Sequence, residues 1–152
     1  MDAPDSHESS IPTILMVDDD YEDREIVAAL MRHHCCHLLL AAGAAEGLKL
    51  ADQVKPDLII LDIRMPELDG LEALKKLRQN EATRETPVLM LTAADDRDSI
   101  DAAFSCGAND YMTKPIFLER LNKKIAKLLY PAFPGMREKQ LPRNVMKPFM
   151  EQ

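Results

Sequence analysis

No apolar run in this 152-residue chain approaches the length of a membrane span. Its first stretch, Met1 to Ser10, is polar and acidic, without the basic and apolar regions of a secretory signal. A cytoplasmic location is therefore expected. Basic residues are outnumbered, 19 against 26 acidic ones, and the net charge of -7 argues against general affinity for nucleic acid. Cysteine is scarce: Cys35, Cys36 and Cys106 cannot all pair within one chain. Adjacent cysteines rarely bridge, so a disulfide framework is not expected. Internal repeats and low-complexity tracts are also missing. What remains is an ordinary soluble mixture, 46% hydrophobic and 30% charged, at a length that suits one domain with a sizeable core.

Residues 1–11 read as a mobile tail and residues 12–130 as the folded unit. Apolar, strand-like runs occupy Thr13 to Val17, His37 to Ala41, Leu58 to Leu61 and Pro87 to Leu91, with a less hydrophobic fifth at Ala108 to Thr113. Between and after them lie helical patterns: Tyr21 to about His33, with Ile26, Val27, Leu30 and Met31 at helical spacing; Ala44 to Val54, with Leu48 and Leu50 expected inward; Leu71 to about Asn80; Asp98 to Cys106, stopped by Gly107; and Ile116 to Tyr130. Five alternations of strand and helix predict right-handed crossovers and a parallel sheet covered by helices on both faces. The third and fourth strands are apolar without alternation, as doubly covered strands should be.

In such a sheet, side chains just past the carboxyl ends of the strands gather in one crevice. Asp18 and Asp19 follow the first strand, Asp62 the third, Thr92 the fourth and Lys114 the fifth. Three crowded carboxylates repel one another, and a hard divalent cation relieves that repulsion. Magnesium fits, since it takes oxygen ligands and commonly recruits one or two carboxylates plus phosphate oxygens. The plainer role of the Asp18-Asp19-Asp20 run is capping the next helix, for which Asp20 is best placed. Asp62 can serve as a metal ligand or as a nucleophile forming an acyl phosphate. Lys114 can neutralise a phosphoryl group there, or simply be a solvated charge. Thr92 can donate a hydrogen bond to it, or merely cap its own turn, and Ala93 leaves room beside it.

These residues, in this order, resemble the receiver domain of two-component response regulators. The resemblance covers about Ile11 to Tyr130 and rests on Val17-Asp18-Asp19, Leu61-Asp62-Ile63-Arg64-Met65-Pro66-Glu67-Leu68-Asp69-Gly70, Leu91-Thr92-Ala93 and Tyr111-Met112-Thr113-Lys114-Pro115. It implies a flavodoxin-like three-layer sandwich with strand order 2-1-3-4-5. It implies Asp62 as phosphoacceptor, Asp19 as a direct magnesium ligand, Asp18 as one through water, and the backbone carbonyl of Arg64 as a further ligand. Lys114 would pair with phosphoryl oxygens, Thr92 would move toward them, Tyr111 would swing into the vacated space, and the Lys114–Pro115 bond would be cis. Arg64 and Ala94 stand where the family tunes phosphoryl lifetime.

The resemblance further implies a histidine kinase or histidine phosphotransfer protein as donor, a downstream protein as target, and no turnover activity beyond self-phosphorylation and autodephosphorylation. A homodimer is open, through the face of the fourth helix, fifth strand and fifth helix or through the tail. Phosphorylation adds close to two negative charges and three acceptor oxygens, which reward any conformation that brings Thr92 and Lys114 closer.

Residues 131–152 are proline-broken and are expected to form a tail without an output domain. They read as a loose tail or, through Leu141, Val145, Met146, Phe149 and Met150, as an arm against a partner or second copy. The cluster His33, His34, Cys35, Cys36, His37 could suit a soft metal, but its spacing is wrong for closed zinc patterns and a plain helix end is expected. Two other functions use the same architecture. An aspartate-nucleophile phosphohydrolase commonly needs a second acid two residues after the first, where this chain has Arg64. A flavodoxin-like carrier needs a glycine- or hydroxyl-rich phosphate loop after the first strand, where it has Asp18-Asp19-Asp20.

Overall fold

The computed structural model describes residues 11–32, 36–93 and 96–133. Five strands, β1 (Thr13–Val17), β2 (His37–Ala41), β3 (Leu58–Asp62), β4 (Val88–Thr92) and β5 (Asp110–Thr113), alternate with five helices. These are α1 (Tyr21–Met31), α2 (Ala44–Val54), α3 (Gly70–Gln79), α4 (Arg97–Ser105) and α5 (Leu118–Leu129). All strand pairs are parallel and the order is β2-β1-β3-β4-β5, as expected. Every residue of β3 and β4 is buried, which explains their unbroken apolar character.

Two apolar layers lie on opposite faces of this sheet. Val27 and Met31 of α1 and Leu121, Ile125 and Leu129 of α5 pack with Ile14, Met16, Leu58, Ile60, Leu89 and Leu91. Ala51 of α2, Leu74 and Leu77 of α3 and Ala103 of α4 pack with Leu15, Val17, Ile59, Leu61, Val88 and Met90. Alternate residues of each strand thus serve opposite layers, the two-residue period of extended chain.

The structure departs from the expected faces at two helices. Ile26 is exposed, and Val27 and Met31 form the buried stripe of α1. In α2 the fully buried residues are Ala44, Gly47 and Ala51, with Leu48 and Leu50 half-buried. The reason is close approach: a Cβ at Gly47 would lie 2.6 Å from the Val17 side chain, so small residues bring α2 down on β1. Boundaries also shift. β5 starts at Asp110, not Ala108, and α5 starts at Leu118, after the extended residue Phe117. The Lys114–Pro115 bond is cis. Gly107 takes φ +105 after α4, the conformation that favours glycine at a helix end.

Arg78, near the end of α3, fastens the opposite end of the sheet from the crevice. Its guanidinium donates to the carbonyl oxygens of Thr83, Arg84, Thr86 and Gly107 and to Asn109 Oδ1. Burial pulls its pKa below the ordinary arginine value, and neighbouring Glu85 opposes that. The tails (residues 1–10 and 134–152), His33, His34, Cys35 and Ala94 lie outside the described residues, and with them the expectations on the metal-like cluster and the C-terminal arm.

Candidate functional site

At three of the strand ends, sheet hydrogen bonding runs slightly past the strand pairs. Asp18 N donates to Ala41 O at 3.1 Å, Ile63 N to Leu91 O at 3.0 Å and Lys114 N to Thr92 O at 2.9 Å. Backbone position is therefore set by the sheet before any side chain interacts. Asp19, Asp20, Asp23, Asp62, Arg64, Thr92, Ala93, Lys114 and Pro115 line one open cleft at this end.

The loop that leaves Asp62 is closed with almost no spare space. Gly70 N donates to Ile63 O at 2.7 Å, and a Cβ at Gly70 would collide with the backbone of Asp62 and Ile63. Asp69 caps α3 by accepting from Glu72 N. The turn over Pro66 to Gly70 thus fixes the phosphoacceptor candidate from below.

Asp18 is fully buried. Its Oδ1 accepts from Asp20 N at 2.9 Å, and its backbone carbonyl accepts from Arg24 Nη1 at 2.8 Å. Asp20 caps α1, accepting from Glu22 N, so the three consecutive aspartates have separate jobs. Asp18 Oδ2 is buried without a hydrogen bond of good geometry and faces Lys114 Nζ at 3.2 Å. Burial raises the Asp18 pKa, opposed by the Asp20 amide and by Lys114.

Asp62 is 5% exposed. Burial first, and the Asp18 charge second, push its pKa up to about 7, while Lys114 opposes them at 3.4 Å. Lys114 reaches a third acid as well: Asp23 Oδ2 lies 2.8 Å from Nζ, the shortest of its three ion pairs. Burial alone would lower the lysine pKa; the three carboxylates outweigh it and raise it. Asp23 escaped the sequence reading because it looks like any acid in a first helical turn. The available signal was side-chain direction: helical side chains lean toward the N-terminus, and here that end opens on the crevice.

Thr92 is 2% exposed at the end of β4 and lines the cleft, its hydroxyl donating to the Ala93 carbonyl at 3.4 Å. Arg64 also lines the cleft, but its guanidinium turns away to Asp96 Oδ2, at 3.2 Å from Nε and 3.0 Å from Nη2. Asp96 is the cap of α4. Tyr111 is not in the cleft. It is half-buried, with its ring edge-on to Phe104 at 6.1 Å and the Lys124 ammonium 5.6 Å from its centre.

Asp18, Asp19 and Asp62 each bring a carboxylate oxygen within 4.8 Å of the others. An all-oxygen, anionic donor set fits a hard divalent cation such as magnesium. The buried Oδ2 of Asp18, which faces Lys114 without a well-formed hydrogen bond, is the oxygen most in need of one.

A doubly wound α/β domain with an acid-rich crevice and a lysine at its strand ends is built for a cation and a phosphoryl group. The chain belongs to the response regulator receiver domain family, whose pattern matches residues 14–126. It is 36% identical over 119 residues to the DNA-binding dual master transcriptional regulator RpaA of a Synechocystis strain, covering 78% of this chain and 49% of that protein. The chain thus spans about half the length of that curated relative, and 26% of another, the regulatory protein AtoC of Escherichia coli. Among solved structures it resembles the Vibrio cholerae chemotaxis protein CheY4, at 29% identity and a TM-score of 0.75, covering 79% of this chain and all of that one. It also resembles the receiver domain of sensor histidine kinase PA1611 of Pseudomonas aeruginosa, at 27% identity and a TM-score of 0.73, covering 79% and 98%. That structure is described with magnesium coordinated in its active-site cleft. Membership makes this a signalling switch of two-component type and does not favour a phosphohydrolase. Among the described residues, no helix is long and apolar enough to cross a membrane.

Proposed function

We propose that Asp62 accepts a phosphoryl group from a phosphohistidine of a histidine kinase or phosphotransfer protein. The Asp62 carboxylate oxygen attacks phosphorus, the P–N bond breaks with its electrons returning to the imidazole, and an acyl phosphate remains on Asp62. The observation that carries this reading is the ammonium of Lys114 3.4 Å from a buried Asp62 carboxylate at the open mouth of the sheet. Magnesium, held by Asp19, Asp62 and the Arg64 carbonyl and through water by Asp18, would neutralise charge on the transferring group. Lys114 pairs with the phosphoryl oxygens, and Thr92 donates its hydroxyl to them. Movement of Thr92 opens space for Tyr111, whose ring now lies against Phe104 on the α4–β5 surface. The output is a protein contact on the face of α4, β5 and α5, where a homodimer or a downstream partner would bind.

Arg64 weighs against a hydrolase that needs a second acid, since a cation engaged by Asp96 occupies that position. The domain limits, residues 12–130 with tails at 1–11 and 131–152, and a cytoplasmic location belong to the same proposal. The test is incubation with phosphoramidate or acetyl phosphate and magnesium, read by intact mass. One phosphoryl adduct is expected on the wild type and none on Asp62→Asn. An adduct that persists in Asp62→Asn would sink the assignment.

A further inference from the structure

We infer that Asp23 is a positioning residue for Lys114: it holds the ammonium away from Asp62 in the unphosphorylated protein and competes with the phosphoryl group for it. The inference rests on Asp62 being the acceptor. Three contacts carry it. Lys114 Nζ is 2.8 Å from Asp23, 3.2 Å from Asp18 and 3.4 Å from Asp62, so the ammonium leans toward α1 and away from the acceptor. Three carboxylates crowd one ammonium at ion-pair distance, and it has only three N–H donors to offer. An incoming phosphoryl oxygen must compete with them for it.

The three acids do not compete equally. Asp62 gives up its free carboxylate when it becomes an acyl phosphate. Asp18 and Asp62 belong to the group of acids that can share a cation, together with Asp19. Asp23 lies outside that group, so neither phosphorylation nor metal binding removes its charge. It is the one contact that persists against the phosphoryl group.

The Asp23 side chain is also held in place. It is only 15% exposed, and Lys114 is 26% exposed, so water screens the pair incompletely. The next residue, Arg24, donates to the Asp18 carbonyl at 2.8 Å, which ties the first turn of α1 to the end of β1. Asp20 caps the same turn. The carboxylate at 23 therefore presents to Lys114 from a fixed backbone.

Without Asp23, the ammonium moves onto Asp62 and Asp18 and opposes a cation at those acids. The test uses the full chain and three variants: Asp23→Asn, Asp23→Glu, and Glu22→Gln as a control for losing a nearby charge that does not touch Lys114. The first readout is the 15Nζ resonance of Lys114 in metal-free protein, which needs no phosphorylation. A shifted signal with faster proton exchange is expected in Asp23→Asn, a wild-type signal in Glu22→Gln, and partial recovery in Asp23→Glu. The second readout is magnesium affinity by calorimetry, expected to weaken about three- to tenfold in Asp23→Asn, beyond any change in Glu22→Gln. An unchanged Lys114 signal in Asp23→Asn, or a loss of magnesium affinity matched by Glu22→Gln, overturns the inference. If the wild type takes no phosphoryl group from phosphoramidate, the acceptor reading falls by itself, and the metal-free lysine signal still decides whether Asp23 positions Lys114.

Discussion

Helices α4 and α5 flank β5 along the chain, yet they are held by different forces. α5 buries Leu118, Leu121, Asn122, Ile125, Ala126 and Leu129 and has no side-chain cap. α4 buries only Ala103, and its N-terminus depends on Asp96, which also takes the Arg64 guanidinium. Apolar burial has no alternative partner to exchange with, so α5 is fixed. Ion pairs and caps can be traded for other charges at small cost, so the N-terminus of α4 is held less firmly than α5. The same contrast appears at single side chains: Phe104 of α4 is 44% exposed, whereas Leu121 of α5 is completely buried.

The comparison breaks most sharply at Leu121. Leu121→Ala should cost about 2–5 kcal/mol of unfolding free energy in urea titration. A loss well below 1 kcal/mol, comparable to that of an exposed side chain, would mean α5 is no better anchored than α4.

The site offers the next effect, and it depends on pH where α5 burial does not. The folded Asp62 pKa is raised from 3.8 to about 7, so the folded state holds a proton that the unfolded state has lost. Its stability contribution is present below about pH 4 and lost as pH rises through about 7. Stability of metal-stripped wild type, measured relative to Asp62→Asn, should therefore fall across that window, and magnesium should flatten the slope. Burial would raise the Asp110 pKa, but Lys124, the Tyr111 amide and Lys127 outweigh it and leave it lowered. Asp110 therefore contributes the opposite slope: its stabilisation is present above the unfolded value of 3.8 and lost as pH falls through the lowered folded value.

Arg64→Ala removes an exposed pair, so global stability should change by less than about 1 kcal/mol. Amide exchange in the first turn of α4 should nevertheless quicken, while exchange in α5 stays unchanged; equal effects on both helices would dissolve the distinction. Phe104→Ala should be smallest, about 0.5 kcal/mol or less in urea titration, because its side chain is 44% exposed and meets the Tyr111 ring edge-to-face.

Much of this site could be read from the chain because strands end abruptly. Leu58-Ile59-Ile60-Leu61 stops at Asp62, and Val88-Leu89-Met90-Leu91 at Thr92, so position in the crevice follows from hydrophobic pattern alone. Lys114 needed its neighbours, since β5 is short and half-buried. Other features depend on packing that no local pattern encodes. Leu48 and Leu50 looked like the buried face of α2, but closeness to Val17 gives that face to Gly47 and its small neighbours. The Arg64–Asp96 link joins residues 32 apart in sequence, and Asp23 meets Lys114 only after β1 and β5 are placed in one sheet. Such contacts arise from topology, and a single helix turn carries no trace of them.

Arg78 gives the contrast between the two helices a direction. The carbonyl of Gly107 receives its Nε and Nη2, and Asn109 receives Nη2 again while accepting from Val88 N. The exit of α4 is thereby riveted to α3 and to the start of β4, at the end of the sheet remote from Asp62. Its entrance is capped by the Asp96 carboxylate, which is shared with Arg64. An element fastened more firmly at one end than at the other is expected to swing about the firm end, so a displacement beside Asp62 would become sideways travel of the Phe104 surface, with Gly107 as the fulcrum.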